Sequence, residues 1–280
     1  SAVGGGFGGK LDCSVQPLLA VAAWILEKPI RCTFTRPESL ASSTKRHPAK
    51  MKASASCDKD GSLTSLSFEG DFNTGAYASW GPTVADRVPI HCSGPYFVPN
   101  ILAKTRALLT NGPPSGAFRG FGVPQSAIAH EALMDSLAEQ TGIDPLEFRL
   151  KNALRKGQKT GSGQLLEKSV GQAECLEALQ TRWQEWRKAS EEFNNHSEII
   201  KRGVGIGCCW YGCGNTSMSN PSTMRVGINS EGIITLYNGA MDIGQGANTI
   251  MIQICAEALG LPASSFQFIM GVTVMTADAG

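Results

Sequence analysis

The chain has 280 residues, 42% of them hydrophobic and 18% charged, enough for one large or two ordinary globular domains and too apolar for a disordered segment. A net charge of +1 gives no electrostatic case for nucleic acid or a membrane surface, and no apolar run reaches the roughly 20 residues that span a bilayer. Nine cysteines in a chain of this size argue against a disulfide scaffold and for a reducing compartment, read here as the cytoplasm.

Gly4-Gly5-Gly6-Phe7-Gly8-Gly9-Lys10 is a glycine loop that feeds an apolar helix, Leu18 to Leu26, stopped at Lys28-Pro29 and short enough to be buried. Such a loop at a helix N-terminus suits an anion. Cys32 to Thr35 reads as a short strand. Met51, Ala53, Ala55 and Cys57 alternate with polar residues, Asp58 to Gly61 form a turn, and Leu63, Leu66 and Phe68 return as the second arm of a β-hairpin. Asn73 to Tyr77, then Gly81-Pro82 and Arg87 to Asn100, read as loop, and Leu102 to Leu109 as strand.

The central feature is Gly116-Ala117-Phe118-Arg119-Gly120-Phe121-Gly122, a cation and two aromatics set between glycines after a Pro-Pro-Ser turn. Behind it Ala127, Leu133, Met134, Leu137 and Ala138 recur at helical spacing as far as Gly142, and Asp144-Pro145 caps a second helix. Arg155 to Gly163 is polar and glycine-rich and divides the chain into halves, 1–155 and 156–280. A third helix runs from Gln172 to Phe193, with Leu176, Leu179, Trp183 and Trp186 on one core-facing side. A second hairpin, Met224–Ile228 and Ile233–Tyr237 around Asn229 to Gly232, delivers the third glycine loop, Gly244-Gln245-Gly246, ahead of a helix from Thr249 to Leu259. The fold class is α+β, with mixed sheets and hairpins packed against helices.

Cys208-Cys209-x-x-x-Cys213 is not a CxxC pair, and His47, His91, His130 and His196 supply no ligand spacing, so no metal is expected to be held by protein side chains. Cys13, Cys32, Cys175 and Cys255 lie among apolar residues and read as small buried thiols. No GxxxxGK[ST] phosphate loop is present. The GxGxxG spacing in Gly4 to Gly9 lacks a preceding strand, which leaves a nucleotide-binding reading weak. Three glycine loops spread over the chain instead suit one large, polar, anionic cofactor gripped from several sides.

In this order and spacing the three loops, with Arg87 to Asn100 closing on Tyr96-Phe97-Val98-Pro99-Asn100, resemble the molybdenum-cofactor subunit of the xanthine dehydrogenase and aldehyde oxidase family. The resemblance covers essentially the whole chain. It implies a molybdopterin-binding fold and a molybdenum–pterin cofactor, the metal being held by the pterin. It also implies hydroxylation of a small N-heterocycle or aldehyde with water-derived oxygen, electrons leaving through [2Fe–2S] and FAD on other domains or subunits. Under it Gly6, Phe7, Gly8 and Gly9 lie beside the cofactor, and Gly244, Gln245 and Gly246 hydrogen-bond it. Arg119, a catalytic and cofactor-binding candidate, matches the arginine whose loop holds the metal ligands, Phe118 and Phe121 sandwich a flat substrate, and Arg87, the second catalytic candidate, stabilises charge developing on the substrate ring. A salt bridge to Asp86 is the plainer reading of Arg87.

Two departures are evident. Leu11 stands where xanthine-type members carry a substrate-anchoring glutamate, which weakens the case for xanthine and leans toward aldehydes, while Arg87 leans toward heterocycles. The family's general-base glutamate would follow Gly280, and a glutamine that reaches the metal's oxo ligand would precede Ser1. The chain is therefore expected to be a fragment that is inactive alone. The competing class is a non-catalytic cofactor-carrying scaffold, which would need neither the two phenylalanines nor Arg119.

Overall fold

A computed structural model describes residues 3–212 and 221–279, in two compact units, Leu11–Gly212 and Ser1–Lys10 with Cys213–Gly280. The cuts fall at 10/11 and 212/213 and not near residue 155. The polar stretch expected to be a linker is folded into turns of the larger unit, with Gly157 N–H on Leu166 O and Thr160 N–H on Gln164 O.

In the larger unit, α1 (Gln16–Leu26) and α2 (Arg36–Ser42) precede β1 (Ala49–Cys57) and β2 (Leu63–Gly75), the expected antiparallel hairpin. The chain then crosses over through α3 (Gly81–His91) to β3 (Asn100–Leu109), which pairs parallel to β2. Alternation along β2 buries Leu66, Phe68, Phe72 and Thr74 on one face. Helix α4 (Val123–Thr141) packs on β1, α5 (Pro145–Asn152) packs on α4, and α6 (Gln172–His196) packs on α5. Phe68, Phe72, Val88, Tyr96, Met134 and Phe148 form the centre of the core. The N-cap Asp144 accepts from Leu146 N–H at 2.8 Å and from Trp183 Nε1–H at 3.0 Å, so the helix start also anchors α6.

The smaller unit repeats this connectivity. A hairpin, β4 (Arg225–Ile228) and β5 (Ile234–Asn238), is followed by a crossover helix, α7 (Ala247–Leu259), and a parallel strand, β6 (Phe266–Met270). Each unit is thus a hairpin plus one β–α–β crossover, which is an α+β arrangement.

Four local expectations are corrected. Cys32 to Thr35 is not a strand; Thr35 is the N-cap of α2, in a capping box with Glu38. The stretch read as loop around Arg87 is helix α3. Helix α1 has no buried residue, and Trp24 is 84% exposed, because among the described residues nothing covers its apolar faces. For the same reason Cys13 and Cys32 are exposed, as are Cys175, Leu179 and Trp186 on the outward side of α6; Cys255 is half-buried, and only Trp183 of the tryptophan pair is core. Among the described residues the buried thiols are those of Cys92 and Cys208, and burial pushes the Cys92 thiol up to about 11.

Candidate cofactor and substrate loops

Both Gly-Phe-Gly motifs fold into the same turn. In the smaller unit Gly9 N–H donates to Gly6 O at 3.0 Å, with Phe7 (φ 53°) and Gly8 (φ 91°) between them. In the larger unit Val123 N–H donates to Gly120 O at 2.9 Å, with Phe121 (φ 47°) and Gly122 (φ 94°) between them. Two successive positive φ values are the signature of a type I′ turn. A bulky residue at the first position costs about 1–3 kcal/mol in strain, which persists where the surroundings over-determine it. Each turn presents an aromatic ring at its tip: Phe7 is 61% exposed and Phe121 is half-buried.

Gly122 shows why the second turn cannot relax. A Cβ there would lie 2.8 Å from Val88 Cγ2 and 2.9 Å from the Val84 carbonyl, so the start of α4 is pressed onto α3. Around it, the Phe121 ring meets Trp80 edge-on at 6.2 Å, and Arg46 lies 4.6 Å from the Phe118 ring centre while donating to the Arg119 carbonyl at 2.7 Å. Phe118 and Arg119 are exposed. Ser79, also at positive φ, donates to Asp12, the neighbour of the exposed Leu11. Arg46, Trp80 and Ser79 were not singled out from sequence, since no motif marks them. A cleft of about 700 Å³ opens beside them, lined by Asp12, Leu18, Phe34, Tyr77, Ser79 and Pro114 among others.

Within the smaller unit the first and third glycine loops are in contact. A Cβ on Gly244 (φ 106°) would lie 2.7 Å from Gly5 N and 2.8 Å from Val3 O, and one on Gly6 would meet Ile243 at 2.8 Å. Gln245 is turned into its own loop, its amide donating to Met241 O at 2.9 Å and accepting from Ile243 N–H at 2.7 Å. Asp242 caps α7, accepting from Gly244, Asn248 and Gly246 N–H groups. These backbone donors, Gly244 and Asn248 foremost, hold its carboxyl below the usual carboxylate range. A carboxyl depressed in this way stabilises the fold above its unfolded value near 4, and the contribution is lost as pH falls through its lower folded value. The excess thermal stability of wild type over Asp242→Asn is therefore expected to shrink between about pH 5 and pH 2; an excess that stays flat would contradict this.

Arg87 lies half-buried on α3, with its guanidinium 5.3 Å from the Tyr211 ring centre. Among the described residues no group of three His, Cys, Asp or Glu side chains could hold a metal, and no helix is long and apolar enough to cross a membrane. The Cys208-Cys209…Cys213 spacing ends outside the described residues. The residues present in the smaller unit suit a pterin-held metal group: close-packed glycine backbone where the first and third loops meet, beside an exposed aromatic at a strained tip.

The molybdopterin cofactor-binding domain family matches residues 1–153, and a second family of the same description matches residues 177–280. The nicotinate dehydrogenase large molybdopterin subunit of Eubacterium barkeri is 48% identical over 62% of this chain and 41% of its own length. The xanthine dehydrogenase molybdenum-binding subunit of Escherichia coli O157:H7 is 34% identical over 95% of this chain and 36% of its own length. The crystal structure of the aldehyde oxidoreductase from Desulfovibrio desulfuricans ATCC 27774 superposes with a TM-score of 0.86 at 28% identity, over 99% of this chain and 31% of that one. The chain thus spans 41% or less of the length of these curated relatives, and 20% of the xanthine dehydrogenase of Drosophila subobscura.

Proposed function

We propose that this chain, which belongs to the molybdopterin cofactor-binding family of xanthine dehydrogenases and aldehyde oxidoreductases, is part of a molybdenum hydroxylase that acts on an N-heteroaromatic or purine substrate. The observation that carries the proposal is the pair of matched turns holding Phe7 and Phe121 in the same strained geometry. The cofactor, when bound, supplies the redox chemistry and the transfer of water-derived oxygen. The chain's part is to hold and orient. Backbone of Gly6 to Gly9 and of Gly244 to Gly246 grips the cofactor beside Phe7, and Arg119 steadies the central loop. Phe118 and Phe121 flank a flat ring, for which offset or edge-on aromatic contact is favourable. Arg87 faces the negative charge that develops on that ring.

The halves 1–155 and 156–280 are on this reading the first and second parts of the cofactor-binding region. The nicotinate-named relative supports a ring substrate. Leu11, with no carboxylate to anchor a purine, and the aldehyde oxidoreductase neighbour support the alternative of an aldehyde. No glutamate of this chain is assigned as general base, so the 280 residues alone are expected to be inactive. [2Fe–2S] and FAD domains or subunits would accept the electrons, in the cytoplasm.

The test is metal and pterin analysis of the full-length protein purified without oxygen, with maturation machinery present. Molybdenum and pterin are expected, and their absence would end the proposal. Arg87→Gln is expected to lower kcat/KM for a heteroaromatic substrate by about 100-fold, the scale of losing one charge-stabilising donor. A silent Arg87→Gln in an enzyme that oxidises aldehydes would favour the alternative.

A further inference from the structure

His91 lies four residues after Arg87 on α3 and is fully buried. Both of its ring nitrogens are engaged. Gly212 N–H points at Nε2 at 3.2 Å, and because an N–H can only donate, Nε2 is the bare acceptor nitrogen. The proton is therefore on Nδ1, which donates to the Arg87 carbonyl at 3.0 Å. The imidazole is neutral, in one tautomer, and bridges α3 to the segment 208–212. Its faces are occupied by that same segment. Tyr211 stacks on it with centroids 5.3 Å apart and planes 16° from parallel, and Trp210 lies at 4.6 Å. Tyr211 in turn has the Arg87 guanidinium at 5.3 Å.

We propose that His91 is a positioning residue for Arg87: by tying the Gly212 N–H to the Arg87 carbonyl it lays the Tyr211 ring against the guanidinium and holds that cation in one orientation. The proposal rests on the reading of Arg87 as the group that faces charge on the substrate. No motif of the sequence marks His91, and its spacing from the other histidines bears only on metal ligation. The charged and titratable groups around the imidazole are Arg87 on its own helix, His130 on α4 and Tyr211 on the facing segment. Burial foremost, then the Arg87 and His130 charges, lowers its pKa, although the hydrogen bond to the Arg87 carbonyl opposes this. Protonation would turn Nε2 into a donor aimed at another donor. Wild-type turnover is accordingly expected to show an acid limb below the ordinary imidazole range near 6.5.

The experiment uses the full-length, cofactor-loaded enzyme with its partner subunits, scored for molybdenum content before kinetics. His91→Asn keeps a donor for the Arg87 carbonyl but is too short to reach Gly212. It is expected to lower kcat for a heteroaromatic substrate roughly tenfold with KM little changed, the order of one transition-state contact weakened, with molybdenum content unchanged. His91→Gln places an acceptor near the Nε2 position and is expected to restore kcat to within about threefold while removing the part of the acid limb that His91 sets. Should the histidine variants not fold, Tyr211→Leu supplies the test. It leaves both His91 hydrogen bonds in place and is expected to lower kcat by about three- to tenfold through loss of the cation–π contact. The proposal is overturned if His91→Asn and Tyr211→Leu both leave kcat and kcat/KM unchanged, or if their losses add fully to that of Arg87→Gln in the double variants. A silent Arg87→Gln marks a different failure, that of the substrate-charge reading itself. An active Arg87→Gln defect beside silent His91 and Tyr211 variants removes only the positioning role.

Discussion

Gly244→Ala is expected to empty the full-length protein of cofactor while leaving it folded. The added methyl would sit under 3 Å from Gly5 N and Val3 O, which are backbone atoms that no rotamer change can move aside. It would also have to accept φ 106°, outside the range of an L residue, at about 1–3 kcal/mol. The first and third loops must separate, and molybdenum and pterin content is expected to fall more than tenfold, the change set by about 1.4 kcal/mol or more in binding. Gly260→Ala is the control. Its φ is 65° with nothing within 4 Å of the new Cβ, so it carries backbone strain without the clash and is expected to retain the metal. Equal metal loss in both variants would show that strain alone, and not the contact between loops, is responsible.

The second large effect concerns the buried charge cluster behind α3. Arg149, fully buried, donates from Nε to Glu131 Oε2 at 2.8 Å and pairs through Nη2 with Asp135 Oδ1 at 2.7 Å. Tyr96 O–H donates to the other Glu131 oxygen at 2.7 Å. Burial, followed by the adjacent Glu131 charge, drives the Tyr96 pKa upward, so its hydroxyl stays protonated as a donor. Arg149→Met strands the Glu131 carboxylate, 16% exposed, without its cation and is expected to cost about 3–5 kcal/mol. Adding Glu131→Gln removes the stranded charge while keeping an acceptor for Tyr96, and is expected to recover much of that loss. Urea unfolding of the single and double variants provides the measurement. A single-variant cost below about 1 kcal/mol would show that water reaches the site and screens the pair.

The hairpins, the strand after Asn100 and the four later helices were legible because each carries its own punctuation. Asp60-Gly61 and Glu231-Gly232 turn the hairpins, Asp144-Pro145 starts α5, and Gly142 and Gly260 stop α4 and α7. Helix α2 also carried a legible signal, the capping box from Thr35 to Glu38, which the β-branched and aromatic run before it outweighed. The burial of α1 was not legible. Apolar composition states what a helix needs covered, not whether its own chain covers it, and here every residue of that helix stays accessible.

The candidate site divides in the same way. The positions that glycines mark could be found in the sequence, because a close approach or a positive φ excludes a side chain. Arg46, Trp80, His91 and Tyr211 could not, because each matters through a partner far away in the chain. His91 and Gly212 are 121 residues apart, and Arg46 and Arg119 are 73 apart.

By itself, then, the amino-acid order determined the α+β class, the three glycine loops and the family, all of which rest on local periodicity, turn chemistry and ordered motifs. Only the tertiary structure decided that residues 81 to 91 are helical. Pro89 has no N–H to offer the Ala85 carbonyl, which counts against a helix in the isolated sequence. That carbonyl instead accepts the Thr105 hydroxyl at 2.9 Å, supplied by a strand that must already lie alongside. That bond, from a residue 20 positions away, satisfies the carbonyl Pro89 leaves open in the helix that carries both Arg87 and His91.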